Sequence, residues 1–174
     1  MHLALNAFFW NQPFVGSGQY LRQLVYHLNR YVSDLDITLV YPHTAVDDVP
    51  TDVPPSVNTH LVPTRPGNLG KVLFEQRGFP KACQTIQADI AHVPYWGAPL
   101  QSPIPIVVTI HDLIPLIMPE YQHSLSSRLY NGLVSASARG VSHVITDSVT
   151  SQQDIQRYLN IPEERITPIY LGVG

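Results

Sequence analysis

The sequence predicts an α/β domain built on a parallel sheet, and three observations carry that reading. Short β-rich runs alternate with amphipathic stretches along the whole chain, the pattern of parallel strands joined by crossover helices. Ile106-Val107-Val108-Thr109-Ile110 is an unbroken apolar and β-branched run, as expected of a central strand covered on both faces. The helical stretches carry an apolar stripe on one side only, which requires a sheet face to bury it.

In chain order, His2–Ala7 reads as the first strand, and Phe8–Gln19 leads from it into a helix over Gly18–Tyr31. Leu21, Leu24, Val25, Leu28 and Val32 give that helix its buried stripe by their i, i+3, i+4, i+7, i+11 spacing. Ile37–Tyr41 and Asn58–Val62 are the next strands, separated by the proline-bearing loop Thr44–Ser56. Pro63-Thr64-Arg65-Pro66-Gly67 reads as a second loop. Leu69–Gln87 is the weakest stretch, because Pro80 must break or restart a helix there. Asp89–Val93 and Ile104–Ile110 follow as strands, then a helix whose stripe is Leu125, Leu129, Leu133 and Ala136. After the strand His143–Thr146, Ser148 or Thr150 caps a third amphipathic helix with Ile155, Tyr158 and Leu159 inward, ended by Asn160-Ile161-Pro162. Arg165–Tyr170 reads as a last strand. It runs into a linker-like Gly172-Val173-Gly174, so the chain is expected to continue into a further domain.

Composition removes several function classes. The 174 residues are 44% hydrophobic and 13% charged, apolar enough to bury a core and to exclude wholesale disorder. Ten Lys and Arg against 13 Asp and Glu give a net charge of -3, too few cations for a nucleic-acid-binding face. The lone Cys83 excludes an internal disulfide framework and a cysteine-based zinc site. No uninterrupted apolar window is long enough to span a bilayer. Met1–Asn6 lacks the basic start of a signal peptide, so the expected compartment is the cytoplasm.

In an open parallel sheet, ligands bind beyond the carboxyl ends of the strands, so the residues after each run are the site candidates. Gly16-Ser17-Gly18 opens the first helix, where glycines allow a close backbone approach and helix amides suit a phosphate. The plainer alternative is a turn that needs positive φ. His111-Asp112 follows the fifth run. The imidazole suits hydrogen bonding or proton transfer to a polar ligand, with Asp112 either orienting it or capping the next turn. His92, His123 and His143 add no metal-ligand spacing, and no Asp-x-Asp metal-diphosphate motif is present, so no metal is expected. Tyr95 and Trp96 follow the fourth run, placed to stack on a ring or to close a loop over the core. Ser148 fits a helix cap better than a nucleophile. No Gly-x-Ser-x-Gly elbow and no carboxylate couple mark a hydrolase.

Gly16-Ser17-Gly18-Gln19-Tyr20-Leu21 and Val107–Pro115, followed by Ile145-Thr146-Asp147-Ser148, Asp154-Ile155, Ile161-Pro162 and Ile166–Val173, together resemble the N-terminal domain of family-4, GT-B-type retaining glycosyltransferases. The likeness runs from about residue 2 to the end and is loosest across Pro42–Ala88. It implies a Rossmann-like parallel sheet with helices on both faces, one half of a GT-B fold. Residues 1–174 would then be one acceptor-side domain, with a C-terminal nucleotide-sugar domain absent from this chain. The resemblance implies sugar transfer from a nucleotide-diphosphate donor to a glycan or lipid-linked acceptor, without a metal. It implies no transfer by residues 1–174 alone. By likeness, His111 faces the transferred sugar, Gly16, Ser17 and Gly18 lie near the donor diphosphate, and Asn11, Tyr95, Trp96, Asp112 and Ser148 lie on the acceptor side. The loop reads Gly-Ser-Gly where many relatives carry paired glycines, which leaves open which glycine makes the close approach. A cytoplasmic enzyme peripheral to the inner face of the membrane fits this class. The rival is a non-catalytic Rossmann-like module that holds a nucleotide or sugar.

Overall fold

The computed structural model describes residues 1–44, 50–118 and 125–172. Within the predicted Thr44–Ser56 loop, 45–49 lie outside the described residues, as do 173–174 of the predicted terminus. The strands are β1 (His2–Asn6), β2 (Asp36–His43), β3 (Asn58–Pro63), β4 (Ile90–Val93), β5 (Ile106–Thr109), β6 (His143–Thr146) and β7 (Ile166–Pro168). The helices are α1 (Gly16–Tyr31), α2 (Gly67–Leu73), α3 (Phe79–Thr85), α4 (Ile114–Ile117), α5 (Leu125–Gly140) and α6 (Val149–Leu159).

All pairings are parallel, in the order β3-β2-β1-β4-β5-β6-β7. The order reverses between β1 and β4, the switch point at which Rossmann-like sheets open a crevice beyond their carboxyl ends. Both faces are covered. On one, Leu3, Leu5, Ile37, Leu39 and Tyr41 cluster with Leu21 and Val25 of α1. On the other, Ala4, Val40, Val93 and Val108 cluster with Phe79 and Cys83 of α3 and with Ile155 and Leu159 of α6. Alternate residues of β1 and β2 therefore serve opposite faces, as the pleat requires.

A proline trims one of the predicted strands. β5 starts at Ile106 because Pro105 has no N–H for the ladder, although its carbonyl accepts from Ala91 at 2.9 Å. β7 ends at Pro168, although Ile169 N–H still donates to Thr146 O at 2.7 Å.

Two helix readings need correction, and a third resolves between its alternatives. Of the break or restart expected at Pro80 the structure has the restart: α2 runs through a π-turn over Phe74–Gly78 directly into α3, which begins at Phe79. The π register shifts the bonding, with Phe79 N–H donating to the Phe74 carbonyl, and Pro80 then falls in the first turn of α3, where no N–H is needed. The α5 stripe lies elsewhere. Leu125 and Leu129 are 75% and 66% exposed and Ala136 is exposed, while Asn131, Val134, Ser135 and Ala138 face inward. The polar side chains on this face are satisfied there: Asn131 Nδ2 donates to Pro115 O of the preceding segment, and Ser135 Oγ donates within the helix to Asn131 O. In α6, Ile155 and Leu159 are buried as expected but Tyr158 is exposed. Ser148, not Thr150, is the cap: its Oγ accepts from Ser151 N at 3.1 Å, and Asn160 closes the helix with φ 52°.

Among the described residues, no helix is long and apolar enough to cross a membrane. Cys83 is a buried thiol whose pKa burial pushes up to about 12.

Candidate active-site cleft at the sheet's carboxyl edge

The segments that leave β1, β4 and β5 enclose a cleft of about 420 Å³ with α2 and α5. Its wall includes Ser17, Tyr95, Trp96, His111 and Asp112, so five of the sequence-predicted residues meet in one place. Asn11 lines an adjoining cavity of about 210 Å³ and donates from Nδ2 to Tyr41 Oη at 2.7 Å. Ser148 is engaged in capping α6 and is not in the cleft wall.

His111 is set by strand register. Thr109 pairs with Ile145, so residues two places further along β5 and β6 also stand side by side, and these are His111 and Asp147. Asp147 Oδ2 lies 2.7 Å from His111 Nδ1. A carboxylate only accepts, so Nδ1 carries the proton of this bond. The orienting acid is therefore Asp147 rather than Asp112, whose Oδ1 accepts from Ile114 N at 2.9 Å and stabilises the next turn. Tyr20 meets the imidazole edge-on with centroids 4.8 Å apart, and the His111 carbonyl accepts from Ser151 Oγ. His111 Nε2 is enclosed and has no hydrogen-bond partner among the protein atoms. With the proton on Nδ1, Nε2 of the neutral ring is an acceptor.

Behind His111 lies His92, buried at the end of β4, with Nε2 2.8 Å from Thr109 Oγ1. Burial, and then the nearby His111, lower its pKa to about 4. Tyr20 shares the same threonine at 3.2 Å, and burial raises its pKa.

The two glycines of the first helix differ. A Cβ on Gly18 would lie 2.8 Å from Phe9 O and 2.9 Å from Gln12 C, and nearer still to Gln12 O. Gly18 therefore lets α1 pack on the chain's own Phe9–Gln12 turn. Gly16 has nothing within 4 Å of its Cβ position. Neither has positive φ, so the plain-turn alternative falls. Val15 supplies no side-chain cap and no acidic residue stands in the first turn of α1, so its amide end carries an uncompensated positive dipole. Ser17 brings that end to the cleft.

Sequence reasoning missed a charged cluster on the opposite wall. The π-turn turns Glu75 fully inward, where Oε1 lies 2.6 Å from Lys71 Nζ and both oxygens lie 3.2 Å from Tyr130 Oη. Lys71 Nζ also donates to Tyr130 Oη and sits 5.4 Å from the ring centroids of Phe8 and Tyr95. Burial raises the Glu75 pKa against the opposing pull of Lys71, and raises those of Tyr95 and Tyr130. An i, i+4 Lys–Glu pair reads as a solvated helix face; only the π register makes it an inward one.

Among the described residues, no three His, Cys, Asp or Glu side chains come together as a metal site. What the cleft offers is an oriented imidazole, a helix amide end, aromatic walls and one ammonium, a set suited to a polar, negatively charged ligand.

Residues 15–174 match the model of Glycosyltransferase Family 4. No curated protein sequence matches the chain. Among solved structures, a sucrose-phosphate synthase from Thermosynechococcus elongatus is similar with a TM-score of 0.63 at 15% identity, covering 99% of this chain and 90% of that one. Alr3699/HepE of Anabaena, solved in complex with UDP and glucose, is similar with a TM-score of 0.58 at 18% identity, covering 99% of this chain and 44% of that one. UDP-GlcNAc 2-epimerase of Methanocaldococcus jannaschii gives 0.57 at 12% identity, over 97% of this chain and 45% of that one. The chain thus spans under half the length of the last two.

Proposed function

The chain belongs to Glycosyltransferase Family 4, and from that premise we propose that it is the N-terminal, acceptor-side half of an enzyme that moves a sugar from a nucleotide-diphosphate donor to a glycan or lipid-linked acceptor, with retention. A second, nucleotide-binding half closes the cleft from above and completes the site. The enzyme is cytoplasmic, peripheral to the inner face of the membrane, and uses no metal.

The observation that carries this reading is the His111–Asp147 pair, held by strand register at the cleft wall that Ser17 shares. Departure of a nucleoside diphosphate leaves negative charge on the leaving oxygen and positive charge on the sugar ring. The amide end of α1 favours the former. Asp147 accepts from Nδ1 and fixes the ring against rotation, so Nε2 is the nitrogen left to accept from a sugar hydroxyl. Trp96 offers the acceptor flat apolar surface, while Tyr95, buried behind it, closes the loop over the core.

The test is His111→Ala in the intact two-domain enzyme, with turnover and melting temperature measured on one preparation. A loss of roughly 10²-fold in kcat, about 2.7 kcal/mol, with little change in Tm is expected for a sugar-facing residue. Unchanged turnover per folded molecule sinks the assignment.

A further inference from the structure

The α5 leucines that should have been buried are exposed beside a second apolar edge. Leu69 and Val72 of α2 face Leu129 and Leu133 of α5 across a groove of about 620 Å³. Leu69 and Leu129 are 67% and 66% exposed. Exposed leucines this closely grouped mark a contact surface for something apolar.

The groove is continuous with the cleft. Lys71, Ser127 and Tyr130 line both. Lys71 stands at the junction, about one-fifth exposed, and its ammonium has three donors. Glu75 Oε1 and Tyr130 Oη take two, which leaves one N–H for a ligand. Glu75 is fully buried, so the pair cannot swing away, and the ring of Tyr130 lies 4.4 Å from the ammonium. A fixed cation thus sits where a polar cleft meets an apolar groove.

We propose that the acceptor is an amphiphile, a lipid phosphate whose anionic group sits on Lys71 and whose hydrocarbon chain lies along Leu69, Val72, Leu129 and Leu133. The proposal rests on the transferase reading above and narrows its acceptor. A single molecule fits better than a bilayer face. Recruitment to an anionic membrane takes a cluster of about four or more cations, whereas α2 brings only Lys71 and the first half of α5 only Arg128.

Binding to the full chain is measured without nucleotide sugar, by calorimetry and amide NMR, with decyl phosphate, hexyl phosphate, decyl maltoside and inorganic phosphate below their micelle concentrations. Each buried methylene is worth roughly a factor of four, so the four extra methylenes of decyl phosphate should tighten binding over hexyl phosphate by up to about 250-fold when all are buried and by at least about tenfold when two are, with inorganic phosphate weakest. The double variant Leu69→Asn/Leu129→Asn should lose about tenfold at unchanged Tm, since both side chains are largely solvent-exposed. Lys71→Gln should bind decyl phosphate no better than decyl maltoside. Lys71→Gln/Glu75→Gln, which leaves no unpaired buried charge, repeats that test if the single variant does not fold. Equal binding of the two alkyl phosphates, or of decyl phosphate and decyl maltoside to the unaltered chain, overturns the proposal. So does decyl phosphate failing to bind while neutral vesicles, or a second copy of the chain, dock in a way that the leucine variant abolishes. Nucleotide-sugar turnover by the intact enzyme is read separately. Turnover onto a water-soluble glycan without alkyl phosphate binding overturns the lipid acceptor alone. Alkyl phosphate binding with no sugar turnover overturns the transferase reading.

Discussion

Replacing Gly18 by alanine should cost far more than replacing Gly16, although the two are only two residues apart at the start of the same helix. At Gly18 the new Cβ meets only backbone: Phe9 O at 2.8 Å, Gln12 C at 2.9 Å and Gln12 O closer still. No rotamer can relieve that contact, so either α1 or the Phe9–Gln12 turn must move. The turn is held by Gln12 N–H to Phe9 O at 3.0 Å and by Val15 N–H to Gln12 O at 3.1 Å. Displacing it weakens bonds worth about 1 kcal/mol each, on top of roughly 1–3 kcal/mol for overpacking. The gain in helix propensity returns at most about 1 kcal/mol. The net is a loss of about 2–3 kcal/mol, or roughly 5–10 °C in Tm for a domain of this size. Gly16→Ala meets nothing within 4 Å and should leave Tm within about 2 °C. Thermal and urea unfolding of the two variants, side by side, is the assay. Equal stability of the two would refute the packing role of Gly18.

Three further outcomes follow from the site. Asp147→Asn keeps an acceptor beside His111 but removes the charge, so kcat should fall about tenfold or more; Tm should move by no more than about 2–3 °C, because a partly exposed pair adds at most about 1 kcal/mol. Ser148→Ala removes the α6 cap and should cost about 1 kcal/mol in unfolding free energy, with Ser148→Gly costing only a few tenths. His92 has a folded pKa of about 4 against an ordinary 6.5, so the unfolded chain takes its proton first as pH falls. Its contribution is present above about pH 6.5, is lost progressively down to about 4 and is flat below, a span of roughly 3 kcal/mol; urea midpoints at pH 7 and 4.5 should differ by less in His92→Asn, and an identical pH profile would sink this assignment.

The sheet was legible because its signal is local: a buried parallel strand must be a short apolar run, and each of the seven runs read from the sequence became a strand. Errors came where tertiary context overrode local pattern. The leucines at 125, 129 and 133 have helical spacing, yet the face of Asn131, Val134, Ser135 and Ala138 is the inward one, tied to the preceding segment by Asn131 Nδ2 donating to Pro115 O. The site divided along the same line. His111 was visible as a residue just past a central strand. Asp147 stood equally in view, but its pairing depends on β5–β6 register, which no local pattern encodes. Lys71 and Glu75 were hidden more deeply, since their inward placement requires a π-turn that Pro80 makes favourable only in retrospect.

That hidden pair also ties the cleft wall together. Glu75 cannot stay buried without its donors, and breaking such a pair by removing one partner typically costs about 3–5 kcal/mol. Gln76, the next residue of the π-turn, donates from Nε2 to Ala98 O and accepts from Leu100 N at 2.9 Å. Gly97 has no room for a Cβ, which would stand 2.7 Å from Glu75 Oε1. Tyr95 Oη in turn reaches Asn6 Oδ1 at the end of β1. One irregular turn thus ties α2, the segment after β4 and the end of β1 into a single wall, and it does so at the sheet's switch point. Strand register positions the imidazole on one side of the cleft. On the other side the π-turn places Glu75, which holds the Lys71 ammonium, so each group is fixed by a partner that the backbone positions.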